Sequence, residues 1–155
     1  MCHGPKIQPS ELPSEWWGCH NGVFVRQVPI VKRRIVVLEP KPHWTPELQR
    51  QFLEDDVHVQ QCTQAADVIQ RLRRDMVTVV VLPFDGQEAS CMQLLAVLFE
   101  WQSVLSSIVI GSPKTMELEA PVKELGATLF LADRPSGHQL HRSCRRQLDS
   151  LLSAR

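Results

Sequence analysis

The chain has 155 residues, of which 43% are hydrophobic and 22% are charged, which is typical of one soluble domain that buries its own core. Its 17 basic and 17 acidic residues cancel, so no overall field attracts nucleic acid or a membrane surface, and no apolar run approaches the ~20 residues that span a bilayer. The N-terminal sequence also lacks the charged-then-apolar order of a secretory signal. We therefore predict a cytoplasmic protein with no membrane partner and no nucleic-acid partner for this domain.

Residues 1–33 are rich in proline and glycine and contain no periodic apolar segment. We interpret them as an irregular N-terminal extension, with one short candidate strand at 22–28, and residues 34–155 as the main domain. Cys2-His3 and Cys19-His20 form two Cys-His pairs. Adjacent ligands lack the usual spacing of zinc sites, so no metal site is predicted there.

From residue 34 onward, apolar segments with the periods of strands and helices alternate. The basic triplet Lys32-Arg33-Arg34 precedes them; it carries too little charge for a nucleic-acid patch and is interpreted as a solvated strand entry. The predicted strands are 35–38, 57–62, 76–82, 107–110 and 128–131. The first predicted helix starts with Thr45 as its cap and Pro46 in its first turn. The other predicted helices are 65–72, 87–101, 115–125 and 137–152. Pro121 requires a break or a late start in the fourth helix.

Strands and helices in this alternation predict a doubly wound α/β fold with a five-stranded parallel sheet in the flavodoxin-like order 2-1-3-4-5. The β-branched run 77–81 indicates a central strand buried on both faces, which should end near Leu82 because Pro83 cannot donate to a sheet. Ligand chemistry in such folds lies just beyond the carboxyl ends of the strands. Neither a GxGxxG nor a GxxxxGK[ST] sequence is present, so a dinucleotide or P-loop site has no support.

Several phrases, in this order and spacing, resemble the receiver domain of two-component response regulators over about residues 33–155. Segment 35–42 resembles the first receiver strand and its acidic turn, and 108–113 resembles the fourth strand with its hydroxyl residue. Segment 126–131 resembles the Gly-Ala start and the aromatic of the fifth strand, and Arg134-Pro135 resembles the Lys-Pro that closes it. The resemblance implies a CheY-like (βα)5 fold and a role in phosphorelay signal transduction.

Receivers accept a phosphoryl group on an aspartate at the end of the third strand, and two acidic residues after the first strand complete a Mg²⁺ site. Here the acceptor position falls among Val80, Val81 and Leu82, which are aliphatic. Glu39-Pro40 replaces the acidic pair. The resemblance therefore implies a degenerate pseudo-receiver that lacks a phosphoacceptor at the expected position and binds no Mg²⁺.

Other receiver positions are partly retained. Ser112 keeps the hydroxyl, and Arg134 stands at the lysine position, or Asp133 if no residue is inserted. Arginine keeps the charge but not the point-donor geometry of lysine. Phe130 occupies the switch aromatic position. Glu39, Ser112 and Arg134 are thus remnants of a receiver-like site.

We expect a non-catalytic module that works by binding a protein. In receivers the fourth helix, fifth strand and fifth helix form the usual partner and dimer face, so a protein partner or a second copy is predicted there. The last helix presents positive charge, which is either a solvated face or a docking surface for an acidic partner. The arginines concerned are Arg142, Arg145, Arg146 and Arg155.

Two other functions remain open. Asp85 could serve as a displaced phosphoacceptor, with Glu39 and a water-rich Mg²⁺ shell, although an aspartate before glycine is common in turns. Glu39 itself is otherwise predicted to be a solvated turn residue, and His43 on the same loop could form a polar pair with it. An enzyme with another chemistry in the crevice is the third hypothesis, but no nucleophile–base pair supports it.

The remaining titratable residues receive structural interpretations. His138 and His141 lie three residues apart and are predicted to be surface histidines. The cysteines are odd in number and widely spaced, so no disulfide or zinc framework is predicted. We interpret Cys62, Cys91 and Cys144 as small buried hydrophobes.

Overall fold

The computed structural model describes residues 17–20, 23–26 and 31–155, the first two segments by their backbone alone. The chain forms two compact units, 1–30 and 31–155. In the first unit, Trp17–His20 (β1) and Val23–Arg26 (β2) pair antiparallel. β2 lies within the strand predicted at 22–28, whereas β1 was not predicted. Cys2-His3 and the side chains of Cys19-His20 lie outside the described residues.

A five-stranded parallel sheet forms the centre of the second unit. The strands are Lys32–Leu38 (β3), Val57–Cys62 (β4), Met76–Pro83 (β5), Leu105–Ile110 (β6) and Leu129–Leu131 (β7). Their spatial order is β4-β3-β5-β6-β7, which is 2-1-3-4-5 when counted from β3. The predicted doubly wound α/β fold is therefore confirmed.

Four helices connect successive strands, and a fifth follows the last strand. They are Trp44–Gln51 (α1), Ala65–Gln70 (α2), Glu88–Leu98 (α3), Glu119–Glu124 (α4) and Gly137–Ser153 (α5). A 3₁₀ turn at Phe99–Trp101 extends α3, and another at Pro113–Leu118 precedes α4. Of the break or late start predicted for the fourth helix, the structure shows the late start: Pro121 lies in the first turn of α4, where its missing N–H breaks no helical bond.

Two apolar layers cover the sheet, one on each face. Val80 and Leu82 of β5 face the layer that includes Leu94 and Leu95 of α3. Val79 and Val81 of the same strand face the opposite layer, with Leu48 of α1 and Leu148 of α5. Because both faces are covered, β5 is apolar at consecutive positions rather than at alternate ones. In the described part of the chain, no helix has the length and apolar character needed to cross a membrane.

The basic triplet belongs to β3 and does not precede it. Arg33 pairs with Val57 on one side and Val77 on the other, and Arg34 is only 6% exposed. The predicted solvated strand entry is therefore wrong for Arg34. Strand pairing continues two to three residues further toward the N-terminus than the apolar pattern, which starts at residue 35, and it buries a charged side chain.

Candidate functional site

The carboxyl end of β5 carries no polar side chain. Val80, Val81 and Leu82 are fully buried. The strand continues one residue further than predicted, to Pro83, and the next backbone amide, of Phe84, donates to the carbonyl of Ile110 at 2.8 Å. Buried aliphatic side chains thus occupy the positions where the receiver pattern places its phosphoacceptor.

Glu39, directly after β3, is 4% exposed and binds the start of α1. Its Oε1 accepts hydrogen bonds from the backbone amides of His43 (3.0 Å) and Thr45 (2.9 Å) and from the Thr45 hydroxyl (2.7 Å). Its Oε2 accepts from the amide of Trp44 at 3.0 Å. The carboxylate therefore satisfies amides that an N-terminal helical turn leaves free, and it lies at the positive end of the helix dipole.

Two expectations from the sequence are corrected by this contact. Glu39 is a buried cap and not a solvated turn residue. Thr45 does not cap α1, which begins one residue earlier at Trp44; its hydroxyl donates to Glu39 instead. His43 is bound to Glu39 through its backbone amide, so the two side chains do not form the polar pair suggested by their proximity in sequence.

The donor set at this edge of the sheet does not fit Mg²⁺, which requires several oxygen ligands in near-octahedral geometry. Both oxygens of Glu39 already accept hydrogen bonds, and the neighbouring strand end is aliphatic. Throughout the described residues, no group of three or more His, Cys, Asp or Glu side chains is placed to hold a metal ion.

The side chain of Gln87 bridges the carboxyl ends of the two central strands, β3 and β5. Its side-chain amide donates to the carbonyl of Leu38 at 3.1 Å and to that of Pro83 at 3.0 Å, which joins the carboxyl ends of β3 and β5. The Cys91 thiol also approaches the Pro83 carbonyl, at 3.7 Å. Burial raises the pKa of Cys91 to about 12, so this group remains a neutral thiol. No sequence pattern distinguishes Gln87 from the other glutamines.

Asp85 lies in the exposed turn between β5 and α3. It stands between the buried Phe84 and Gly86, whose φ of 77° is the left-handed conformation that favours glycine. This is the turn position expected of an Asp-Gly pair. The same position leaves its carboxylate at the carboxyl edge of the sheet, where the displaced-acceptor hypothesis requires it.

Ser112 lies two residues after β6, and Phe130 is the middle residue of β7. The Ser112 amide donates to the Thr115 hydroxyl at 2.8 Å, and the Thr115 amide donates to the Ser112 carbonyl at 2.9 Å, which begins the 3₁₀ turn. Phe130 is buried, with its ring 6.2 Å from that of Phe84 in an edge-to-face arrangement. Its ring also packs against Gly111, where any Cβ atom would overlap it.

The lysine position of the receiver pattern lies on the surface. Arg134 and Asp133 are both exposed in the loop after β7. Within residues 31–155, no side-chain hydrogen bond or ion pair involves Arg134. An open groove of about 450 Å³ begins here and follows the outer edge of β7 along α5. It is lined by Phe130, Leu131, Ala132, Asp133, Pro135, Gln139, Arg142, Ser143 and Arg146.

The predicted remnants do not form one site. Glu39 faces α1, Ser112 begins a 3₁₀ turn, and Arg134 is exposed beyond β7. In the described part of the chain, no hydrogen bond joins any two of these residues. The residue that connects the central strands is Gln87, which the sequence did not single out.

The histidines and cysteines are also placed by the structure. His138 is exposed, but His141 is half-buried against the Phe52 ring, 4.5 Å between ring centres, so the surface prediction is wrong for His141. Burial and the neighbouring Arg145 lower the pKa of His141. The predicted burial of the cysteines is confirmed, and these thiols are free: Cys62, Cys91 and Cys144.

The sequence matches no protein-family profile and no curated protein. Solved structures share the fold. A signal receiver domain from Vibrio parahaemolyticus superposes with a TM-score of 0.67 at 15% identity, over 79% of this chain and 95% of that one. A receiver domain from Clostridium thermocellum gives 0.66 at 11% identity, over 79% and 99%. A CheY-like receiver domain from Methanospirillum hungatei gives 0.65 at 11% identity, over 78% and 97%. The chain therefore has the receiver fold.

Proposed function

We propose that this chain is a degenerate receiver domain that is not phosphorylated on aspartate, catalyses no reaction, and acts in signal transduction by binding a protein. The observation that carries the proposal is the closed carboxyl edge of β3 and β5. Glu39 is bound to α1, Gln87 joins the two strand ends, and aliphatic side chains fill the acceptor position. An edge closed in this way offers no nucleophile at the expected acceptor position and no set of carboxylates for a metal ion, which supports a domain without phosphoryl transfer.

The surface proposed for partner binding is the face formed by α4, β7 and α5. β7 is an edge strand of three residues, and the groove beside it combines apolar side chains with two arginines, Arg142 and Arg146. An edge strand presents unpaired backbone groups that another chain can bind. Either a different protein or a second copy fits this face, and sedimentation velocity of the full chain separates the two.

Phosphorylation is tested by incubating the full chain with Mg²⁺ and acetyl phosphate and measuring its intact mass. We expect no added phosphoryl group. The unmodified receiver domain of an active response regulator, treated in parallel, provides the positive control. A phosphoryl adduct that hydroxylamine removes, as it removes acyl phosphates, would contradict the proposal.

Asp85 supports a second candidate function because it is exposed at the correct edge of the sheet. In that case the chain is a phosphorylatable receiver with a displaced acceptor. The adduct would then form on the unmodified chain, disappear in Asp85→Asn and persist in Asp133→Asn. Asp133 is a suitable control because it is also exposed at this end of the sheet.

A further inference from the structure

Two basic segments that are distant in sequence meet at the amino ends of β3 and β5. Pairing of Lys32 with Met76 places the start of β3 beside the turn before β5. The Arg34 guanidinium donates to the carbonyl of Arg71, and the Arg155 guanidinium donates to the carbonyl of Arg74 at 2.9 Å. We call this surface the basic end; it consists of Lys32, Arg34, Arg71, Arg73, Arg74 and Arg155.

Carboxylates neutralise little of this charge. Arg73 pairs with Asp75 through two hydrogen bonds of 3.0 Å. Arg71 instead donates to the side-chain amide of Gln60 at 3.0 Å, and Arg74 lies over the ring of Trp101, 4.1 Å from its centre. Within residues 31–155, no ion pair involves Arg34, Arg71, Arg74 or Arg155. Apart from Arg73, the arginines of the basic end are therefore held in place by neutral groups.

Arg34 is the buried member of the basic end. It is 6% exposed, and its Nε has no hydrogen-bond partner in the described structure. Burial and the neighbouring Arg71 lower the pKa of Arg34, yet arginine stays protonated in proteins. A buried charge without a counter-ion costs stability, and a hydrophobic side chain of similar size would avoid that cost. An anion bound at the adjacent surface would offset it.

We propose that the basic end binds an acidic segment of a partner protein. The bidentate Arg73–Asp75 pair demonstrates that carboxylates fit the guanidinium geometry at this surface. β3 and β5 are neighbouring strands, and such strands lie about 4.8 Å apart. One short peptide segment can therefore place carboxylates beside cations from both strand starts. The chain has a net charge of zero, so binding depends on this local match and not on a general attraction for polyanions.

The basic end is independent of the function proposed above. It lies at the amino ends of the parallel strands, whereas Glu39 and Gln87 lie at their carboxyl ends. It is also distinct from the groove beside β7. The acidic segment can therefore bind whether or not the domain accepts a phosphoryl group.

The test is fluorescence anisotropy of the full chain with a labelled peptide of alternating glutamate and serine, compared with the same peptide carrying glutamine in place of glutamate. We expect binding of the glutamate peptide alone, weakening as salt is added. The double variant Arg71→Gln/Arg74→Gln should weaken it about tenfold or more. The matched control, Lys41→Gln/Lys114→Gln, removes the same charge from two exposed positions outside both proposed binding surfaces and should leave the affinity unchanged.

Arg34→Leu gives a second, independent readout. We expect peptide binding to weaken while the urea midpoint is unchanged or higher, because a buried unpaired charge is removed. Equal binding of the glutamine peptide, or equal losses in both double variants, would overturn the proposal. So would tighter binding of a single-stranded oligonucleotide than of the glutamate peptide, which would identify nucleic acid as the ligand.

Discussion

The carboxylate of Glu39 accepts hydrogen bonds from both the amide and the hydroxyl of Thr45, at 2.9 and 2.7 Å. This contact joins the acidic turn after β3 to the first turn of α1. The same residue that resembles a receiver's metal ligand is therefore part of the structural framework. Its function in this chain can be measured through stability.

Glu39→Ala should destabilise the domain by roughly 2–4 kcal/mol, because several amide donors and a hydroxyl lose a charged acceptor in a buried site. Glu39→Gln should cost less, since its carbonyl oxygen still accepts. Urea denaturation followed by circular dichroism measures both, with the exposed Glu54→Ala as control. Stabilisation of the unmodified chain by Mg²⁺ would indicate that Glu39 binds metal instead.

Gln87→Ala should destabilise the domain by roughly 1–2 kcal/mol, since two strand-end carbonyls lose their donor. Gln87→Glu should be worse at neutral pH, because a carboxylate would face those carbonyls. Gln93→Ala, on the exposed side of α3, is the matched control and should be within about 0.5 kcal/mol of the unmodified chain. If Gln87→Ala behaves like Gln93→Ala, the bridge contributes nothing.

Gly111→Ala should destabilise the domain by roughly 1–3 kcal/mol, because the new methyl group overlaps the Phe130 ring. In a double-mutant cycle, Phe130→Leu should recover part of that loss by making room. Gly86→Ala is the comparison: its surroundings are open and its cost comes from the positive φ. Phe130→Leu should not rescue it. Additive effects of Gly111→Ala and Phe130→Leu would contradict the packing explanation.

The pKa of His141 should make stability depend on pH. Burial, Arg145 and His138 lower this pKa, and together they outweigh Asp55, which raises it. The pKa in the folded state therefore lies below the ordinary 6.5. Between the two values the unfolded chain binds more protons, so the stabilising contribution is complete above about pH 6.5 and is lost as the pH falls through the folded value. His141→Gln should reduce the pH dependence of the urea midpoint in that range. The exposed His58→Gln should leave the slope unchanged.

The strands were predictable because their evidence is local. β5 carries a run of β-branched residues, and β4 was predicted with its observed bounds, Val57–Cys62. The hairpin of β1 and β2 had a signal that was not used, the Asn21-Gly22 pair between two short apolar segments. Its turn residues lie outside the described structure.

The site was less predictable because its contacts cross loops and strands. Rules for helix caps consider the residue just before the helix, whereas Glu39 reaches α1 across a loop with two prolines. Arg34 and Arg71 are 37 positions apart and meet only through strand pairing. Gln87 binds carbonyls on two strands. None of these contacts leaves a periodic pattern in the sequence.

The reactivity of the buried thiols can be used to measure how often the helices that carry them open. Cys91 of α3 and Cys144 of α5 lie in the opposite layers of the sheet, and burial raises the pKa of both to about 12. Neither reacts as a thiolate near neutral pH while its helix stays packed. The alkylation rate at each cysteine therefore reports how often that helix opens, separately for the two sides of the sheet.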